Sequence, residues 1–114
     1  EQELRAVVVP ALLFVHHPPA LCGCAFMDTQ APLQNPGEAW RRLRTFDRLA
    51  HVFCGHYHTE RTLWRDGRGI FLCPSTLFQI DPYPDDFRVA HSRPGFRLID
   101  WDGDELTTWV EYLG

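Results

Sequence analysis

Lysine is missing altogether: all 11 basic side chains are arginines, and they face 15 acidic groups for a formal charge of −4. A net acidic chain lacks the phosphate-neutralising surface on which nucleic-acid binding runs, so no nucleic-acid partner is expected. Also absent is any apolar run approaching the ~20 residues that a membrane span needs. The stretch from Ala6 to Val15 is short, broken by Pro10 and preceded by acidic Glu1 and Glu3 rather than by a basic n-region, so neither a membrane segment nor an export signal is expected. There is no internal repeat and no low-complexity segment. Ser75 lacks the Gly-x-Ser-x-Gly context of a serine nucleophile, which leaves Ser75 and Thr76 to line a pocket or close a strand.

What is present is the composition of one ordinary globular domain, 114 residues with 45% hydrophobic and 23% charged side chains, enough for one real core. Of the four cysteines, Cys22 and Cys24 are too close for easy mutual pairing, and the aliphatic settings of Cys54 and Cys73 read as core thiols. Reduced thiols and a cytoplasmic location are the expectation. Arg41, Arg42, Arg44 and Arg48 interleave with Trp40, Leu43, Phe46 and Leu49 at helical spacing, the pattern of a helix with one apolar and one solvated face.

Leu12 to His16 is a bulky apolar run stopped by Pro18 and Pro19, which suits a strand buried on both faces and leaves His16 and His17 at its C-terminal edge. Ala20 to Pro36 reads as a long loop. Asn35, Pro36 and Glu38 supply an N-cap, an N1 proline and a reciprocal N3 carboxylate, so a helix is expected to start there and end near Leu49. His51 to Cys54 is a second apolar strand, broken by Gly55 just before His56, Tyr57 and His58. Strand, helix, strand, with histidines after both strands, is a βαβ unit with a site at the strand ends. Thr62–Arg65 and Ile70–Cys73 flank a hairpin signal at Asp66-Gly67-Arg68-Gly69, and Phe96–Trp101 and Leu106–Tyr112 flank another at Asp102-Gly103-Asp104. Antiparallel sheet is expected there, with a surface loop around Pro82, Pro84, Asp85 and Asp86.

Neutral imidazole suits zinc, manganese, iron, cobalt or nickel, and a metal site needs several such groups at one point. Four of the six histidines fall at the two strand ends. If the backbone stays extended, alternation puts His56 and His58 on one side, while Gly55 lets the chain turn close to an ion. His51 and His91 stand alone and read as hydrogen-bonded or surface residues. Asp85, Asp86, Asp100, Asp102 and Asp104 sit in or beside turns, where aspartate bonds its own backbone. A rival zinc centre of Cys22, Cys24, Cys54 and His56 has acceptable ligand types but the wrong spacing, one residue between the first two cysteines where structural sites favour two to four.

A strand ending in His16-His17-Pro18-Pro19, a helix, and a strand running into Gly55-His56-Tyr57-His58 resembles the calcineurin-like metallophosphoesterases. Cys73-Pro74-Ser75-Thr76, Asp85-Asp86-Phe87 and Pro94-Gly95-Phe96-Arg97 make the likeness closest to the bacterial class III 3′,5′-cyclic nucleotide phosphodiesterases. The resemblance implies an α/β fold for residues 1–114: the C-terminal half of a metallophosphoesterase β-sandwich flanked by helices, with a βαβ unit followed by antiparallel hairpins. It implies two divalent ions, manganese or iron with zinc as a further candidate, whose bridging hydroxide attacks a phosphodiester such as cAMP. Carried over by position, His16 and His56 would bind one ion and His58 the other, with His17 nearby as a catalytic group that either faces the phosphate or supports a metal ligand from behind.

The sequence departs from the family pattern in having no Asp-x-His, no following Gly-Asp and no Gly-Asn-His-Asp, all of which precede the histidine motifs there. The expectation is that the polypeptide alone is catalytically silent and that its missing N-terminal half, or a second copy, covers exposed strand faces. A non-catalytic binding or assembly module on the same scaffold is the alternative.

Overall fold

The computed structural model describes residues 2–114. After a single-turn helix α1 (Gln2–Arg5), the elements run β1 (Ala11–Val15), α2 (Ala25–Gln30), α3 (Pro36–Leu43), β2 (Leu49–Cys54), β3 (Arg61–Arg65), β4 (Arg68–Leu72), β5 (Gln79–Ile80), β6 (Val89–His91), β7 (Gly95–Trp101) and β8 (Leu106–Tyr112). The fold is mixed α/β, as expected: a four-stranded sheet in the order β1-β2-β4-β3 and two separate two-stranded ribbons, β5–β6 and β7–β8.

β1 and β2 pair in parallel with Val15 opposite Cys54, so both strands end at the same edge of the sheet and release His16 and Gly55 side by side. The Gly55 N–H donates to the His16 carbonyl at 3.0 Å and joins the two exits. β3 and β4 form the expected hairpin around Asp66-Gly67, both with positive φ (+51° and +74°), the two-residue turn that suits a right-twisted ribbon. β4 also lies parallel to β2, Val52 opposite Ile70, so the hairpin extends the βαβ sheet and is not a wholly antiparallel unit.

Continuous apolar runs give the sheet two working faces. On one, Val52, Cys54, Ile70 and Leu72 pack with Met27 of α2, Trp40 of α3 and Tyr57 in the main core. On the other, the register partners Phe14, Phe53 and Phe71 stack in a row, centroids 5.3 and 5.0 Å apart, with the Arg97 guanidinium of β7 over Phe71 at 5.3 Å. The row ends in the open: Phe14, on edge strand β1, is 63% exposed.

Three expectations need correction. The segment from Ala20 to Pro36 is not all loop, because α2 lies inside it. Helix α3 starts at Pro36 as expected, but Asn35 makes no side-chain cap and Glu38 pairs with Arg42 at 3.1 Å. It stops at Leu43, not near Leu49: the Thr45 hydroxyl takes the Arg42 carbonyl at 2.7 Å, and Arg68 donates to the carbonyls of Phe46 and Leu49. Leu49 is buried instead as the first residue of β2.

Gly95 faces Tyr112 across the β7–β8 ribbon, and a Cβ there would lie 2.8 Å from Pro74 and from the Tyr112 ring. Gly95→Ala is expected to cost about 2 kcal/mol, in the range of core overpacking. At Gly55 a Cβ would meet only His16 Nδ1, at 3.9 Å, so Gly55→Ala should cost less than about 1 kcal/mol. Urea unfolding of the two variants checks the contrast.

His51, on the face with Trp64, Phe71 and Trp101, accepts the Gly69 N–H through Nδ1 at 2.9 Å. Burial holds its pKa below the ordinary imidazole value of 6.5. The folded state therefore binds this proton less readily than the unfolded chain, and the stabilisation is complete above that value and lost as pH falls through the depressed one. Unfolding free energy should decline below pH ~6.5, and His51→Gln should flatten that decline.

Candidate metal centre

Three of the four strand-end imidazoles meet. His16 Nε2 and His56 Nδ1 are 3.2 Å apart, and the His17 ring centroid lies 4.2 Å from that of His56 and 5.0 Å from that of His16. His56 Nε2 sits 2.9 Å from the carbonyl of Ala31. A carbonyl only accepts, so Nε2 carries the ring proton and Nδ1 offers its lone pair to His16. The pKa of His17 lies below the ordinary imidazole range, through partial burial first and then its neighbours His56 and His16.

His58 does not join this group. Its Nδ1 lies 2.9 Å from the Phe78 carbonyl and its ring 4.7 Å from the Phe78 ring. The proton is thereby fixed on Nδ1, and Nε2 keeps its lone pair. Strand alternation therefore does not place His56 and His58 on one side. β2 has already ended at Cys54, and the positive φ values fall on His56 (+68°) and His58 (+51°), not on Gly55.

His56 and His58 each spend one nitrogen on a backbone carbonyl and keep the other as a lone pair, the arrangement typical of metal-ligating histidines. In the metal-free chain His16 Nε2 therefore donates to His56 Nδ1; with that proton moved to Nδ1 of His16, the 3.2 Å separation would fit two nitrogens about 2.1 Å from a common ion. Among the described residues no three His, Cys, Asp or Glu groups converge as ligands of one ion. That disposes of the cysteine centre: Cys22 and Cys54 are buried and turn their thiols to the carbonyls of Ala20 and Phe71, and burial pushes the Cys54 thiol up to about 12. All four cysteines are free. His51 and His91 each accept one backbone N–H, and Asp102 accepts those of Asp104 and Glu105 within its own turn, all three as expected.

Asp28 is the residue the sequence reading missed. Its carboxylate accepts the N–H groups of Cys22, Gly23 and Cys24 at 2.8–3.2 Å and the Tyr57 hydroxyl at 2.6 Å. Burial first, and then this hydrogen bond, push the tyrosine pKa up, so Tyr57 stays a donor. The one signal in the sequence is an acidic residue in what proves to be a helical first turn after Gly23-Cys24.

The ends of two adjacent parallel strands thus bring His16, His17 and His56 together, with the His56 ring set by a backbone carbonyl. Over the stretch it spans, the chain is related to cyclic nucleotide phosphodiesterases of the metallophosphoesterase class. A probable cyclic nucleotide phosphodiesterase of Fibrobacter succinogenes is 38% identical over 112 residues, covering 98% of this chain and 44% of that relative. A 3′,5′-cyclic adenosine monophosphate phosphodiesterase of Escherichia coli K12 is 37% identical over 103 residues, covering 90% and 37%. The chain thus spans less than half the length of these curated relatives. No family model matches it. Among solved structures, zinc-complexed Vps29 of Entamoeba histolytica superposes with a TM-score of 0.48 at 21% identity, covering 74% of this chain and 44% of that one. No helix among the described residues is long and apolar enough to cross a membrane.

Proposed function

We propose that this chain supplies the histidine side of a two-metal phosphodiesterase centre acting on 3′,5′-cyclic nucleotides such as cAMP. The observation that carries the reading is the 3.2 Å approach of His16 Nε2 to His56 Nδ1 at the joined ends of β1 and β2. His16 and His56 hold one divalent ion and His58 Nε2 the other, manganese or iron in preference to zinc. Divalent ions at such a centre supply Lewis acidity and lower the pKa of bound water.

The chain's own residues set the geometry. The Ala31 and Phe78 carbonyls orient the rings of His56 and His58, and His17, beside the pair, faces the phosphate and manages a proton there. Two imidazoles for one ion and one for the other are too few for a fixed dinuclear site. The remaining ligands come from a segment carrying Asp-x-His and Gly-Asn-His-Asp, seated against exposed strand β1 in the same polypeptide or a partner. The site works in the cytoplasm, where the four thiols stay reduced.

The test is hydrolysis of bis(p-nitrophenyl) phosphate and cAMP with added Mn²⁺, by this chain alone and joined to such a segment. The chain alone should be silent and the joined protein active. A joined protein that folds, binds metal and stays inactive would overturn the phosphodiesterase reading and favour a binding module.

A further inference from the structure

We infer that Asp28, Tyr57 and the C-terminal end of α2 form a brace that presets the Gly55–His58 turn, making Asp28 and Tyr57 positioning residues for its two imidazoles. The inference rests on the proposed assignment of His56 and His58 as ligands.

The turn needs such a device. The Tyr57 N–H donates to the Gly55 carbonyl at 2.8 Å and closes a three-residue turn with His56 at its centre, φ +68°, the strained hand of that turn. His58 follows at φ +51°. Two non-glycine residues held in this region persist only where their surroundings over-determine them.

Both ends of α2 supply that constraint. At its start, Asp28 gathers three backbone N–H groups of the 22–24 loop on its carboxylate and accepts the Tyr57 hydroxyl at 2.6 Å, with Tyr57 only 1% exposed. At its end, the Ala31 carbonyl takes the His56 ring at 2.9 Å. Tyr57, between the two histidines, is therefore tied to the same short helix that orients one of them. Beyond His58, the Ile80 N–H donates to the His58 carbonyl at 2.7 Å and the Phe78 carbonyl holds the ring. Neither imidazole can swing without breaking a part-buried hydrogen bond.

The experiment compares Tyr57→Phe, which removes only the hydroxyl, with the wild-type chain, and uses Gly95→Ala as a destabilised control away from the turn. Ring ¹⁵N spectra without metal should show His56 with its proton on Nε2 and His58 with its proton on Nδ1 in the wild type and in Gly95→Ala. In Tyr57→Phe at least His56 should become a mixture of tautomers, and Zn²⁺ affinity should fall about tenfold or more. Single tautomers in Tyr57→Phe together with undiminished Zn²⁺ affinity would overturn the brace. If the wild type binds no Zn²⁺ through these rings, the ligand assignment fails, and the metal-free spectra still decide the brace.

Discussion

His56→Ala, in the chain joined to its complementary segment, should lower Mn²⁺-supported hydrolysis of bis(p-nitrophenyl) phosphate by more than about a hundredfold, since losing even an outer partner of a metal ligand costs up to that much. The reason lies in its double engagement. Nε2 is committed to Ala31, so Nδ1 is the only nitrogen left to meet an ion, and it is the one that faces His16. Stability should change by only about 1 kcal/mol, the worth of one partly exposed hydrogen bond. His51→Gln, on the opposite face of the sheet, should leave the rate unchanged. Steady-state kinetics beside thermal melts separate the two effects.

Asp28→Ala is expected to have the largest effect on stability, a loss of about 3 kcal/mol or more. Its carboxylate is the acceptor for three backbone N–H groups and for Tyr57, and hydrogen bonds to a charged group contribute about 1.5–3 kcal/mol each before non-additivity. Alanine would strand the buried tyrosine hydroxyl and free the 22–24 loop, which carries the core thiols Cys22 and Cys24. Tyr57→Phe should cost about 1–2 kcal/mol. In a double-mutant cycle the two losses should fall short of adding, because they share one bond. Full additivity in urea unfolding would place the role of Asp28 in the loop alone.

Elements whose signals are local were legible in the sequence. The two prolines after His17 end β1, the apolar run before Gly55 marks β2, and Asp66-Gly67 sets its hairpin turn through two positive φ values. Those features place His16, His17 and His56 at one sheet edge, and the structure brings the three rings together. What was not legible depends on distant partners. Helix α2 is only six residues long and has no side-chain N-cap. The N–H groups of the loop just before it are gathered by Asp28, a carboxylate inside the helix, and the Ala25 N–H donates to the Pro82 carbonyl. Strands β5 and β6, two and three residues long, are too short to show alternation. The end of α3 is set by Arg68, more than twenty residues beyond the helix, through carbonyls that a helical-wheel reading assumes are bonded locally.

The histidine turn shows the limit most clearly. Gly55 looks like the residue that grants freedom, yet the left-handed backbone falls on His56 and His58. The sequence contains the cause in Tyr57 and Asp28, but their 2.6 Å hydrogen bond spans 29 positions and a helix that no periodicity announced. A turn whose left-handed backbone falls on two histidines is legible only once the contacts that hold it are in view.

Divalent metal binding by these imidazoles, with the remaining histidines structural, is decided by following all six histidine ring signals of this chain by NMR during a Zn²⁺ titration. Saturable shifts are expected for His16, His56 and His58, a smaller one for the neighbouring His17, and none for His51 and His91. Shifts confined to His51 or His91, or no saturable shift at His16 and His56, would contradict it.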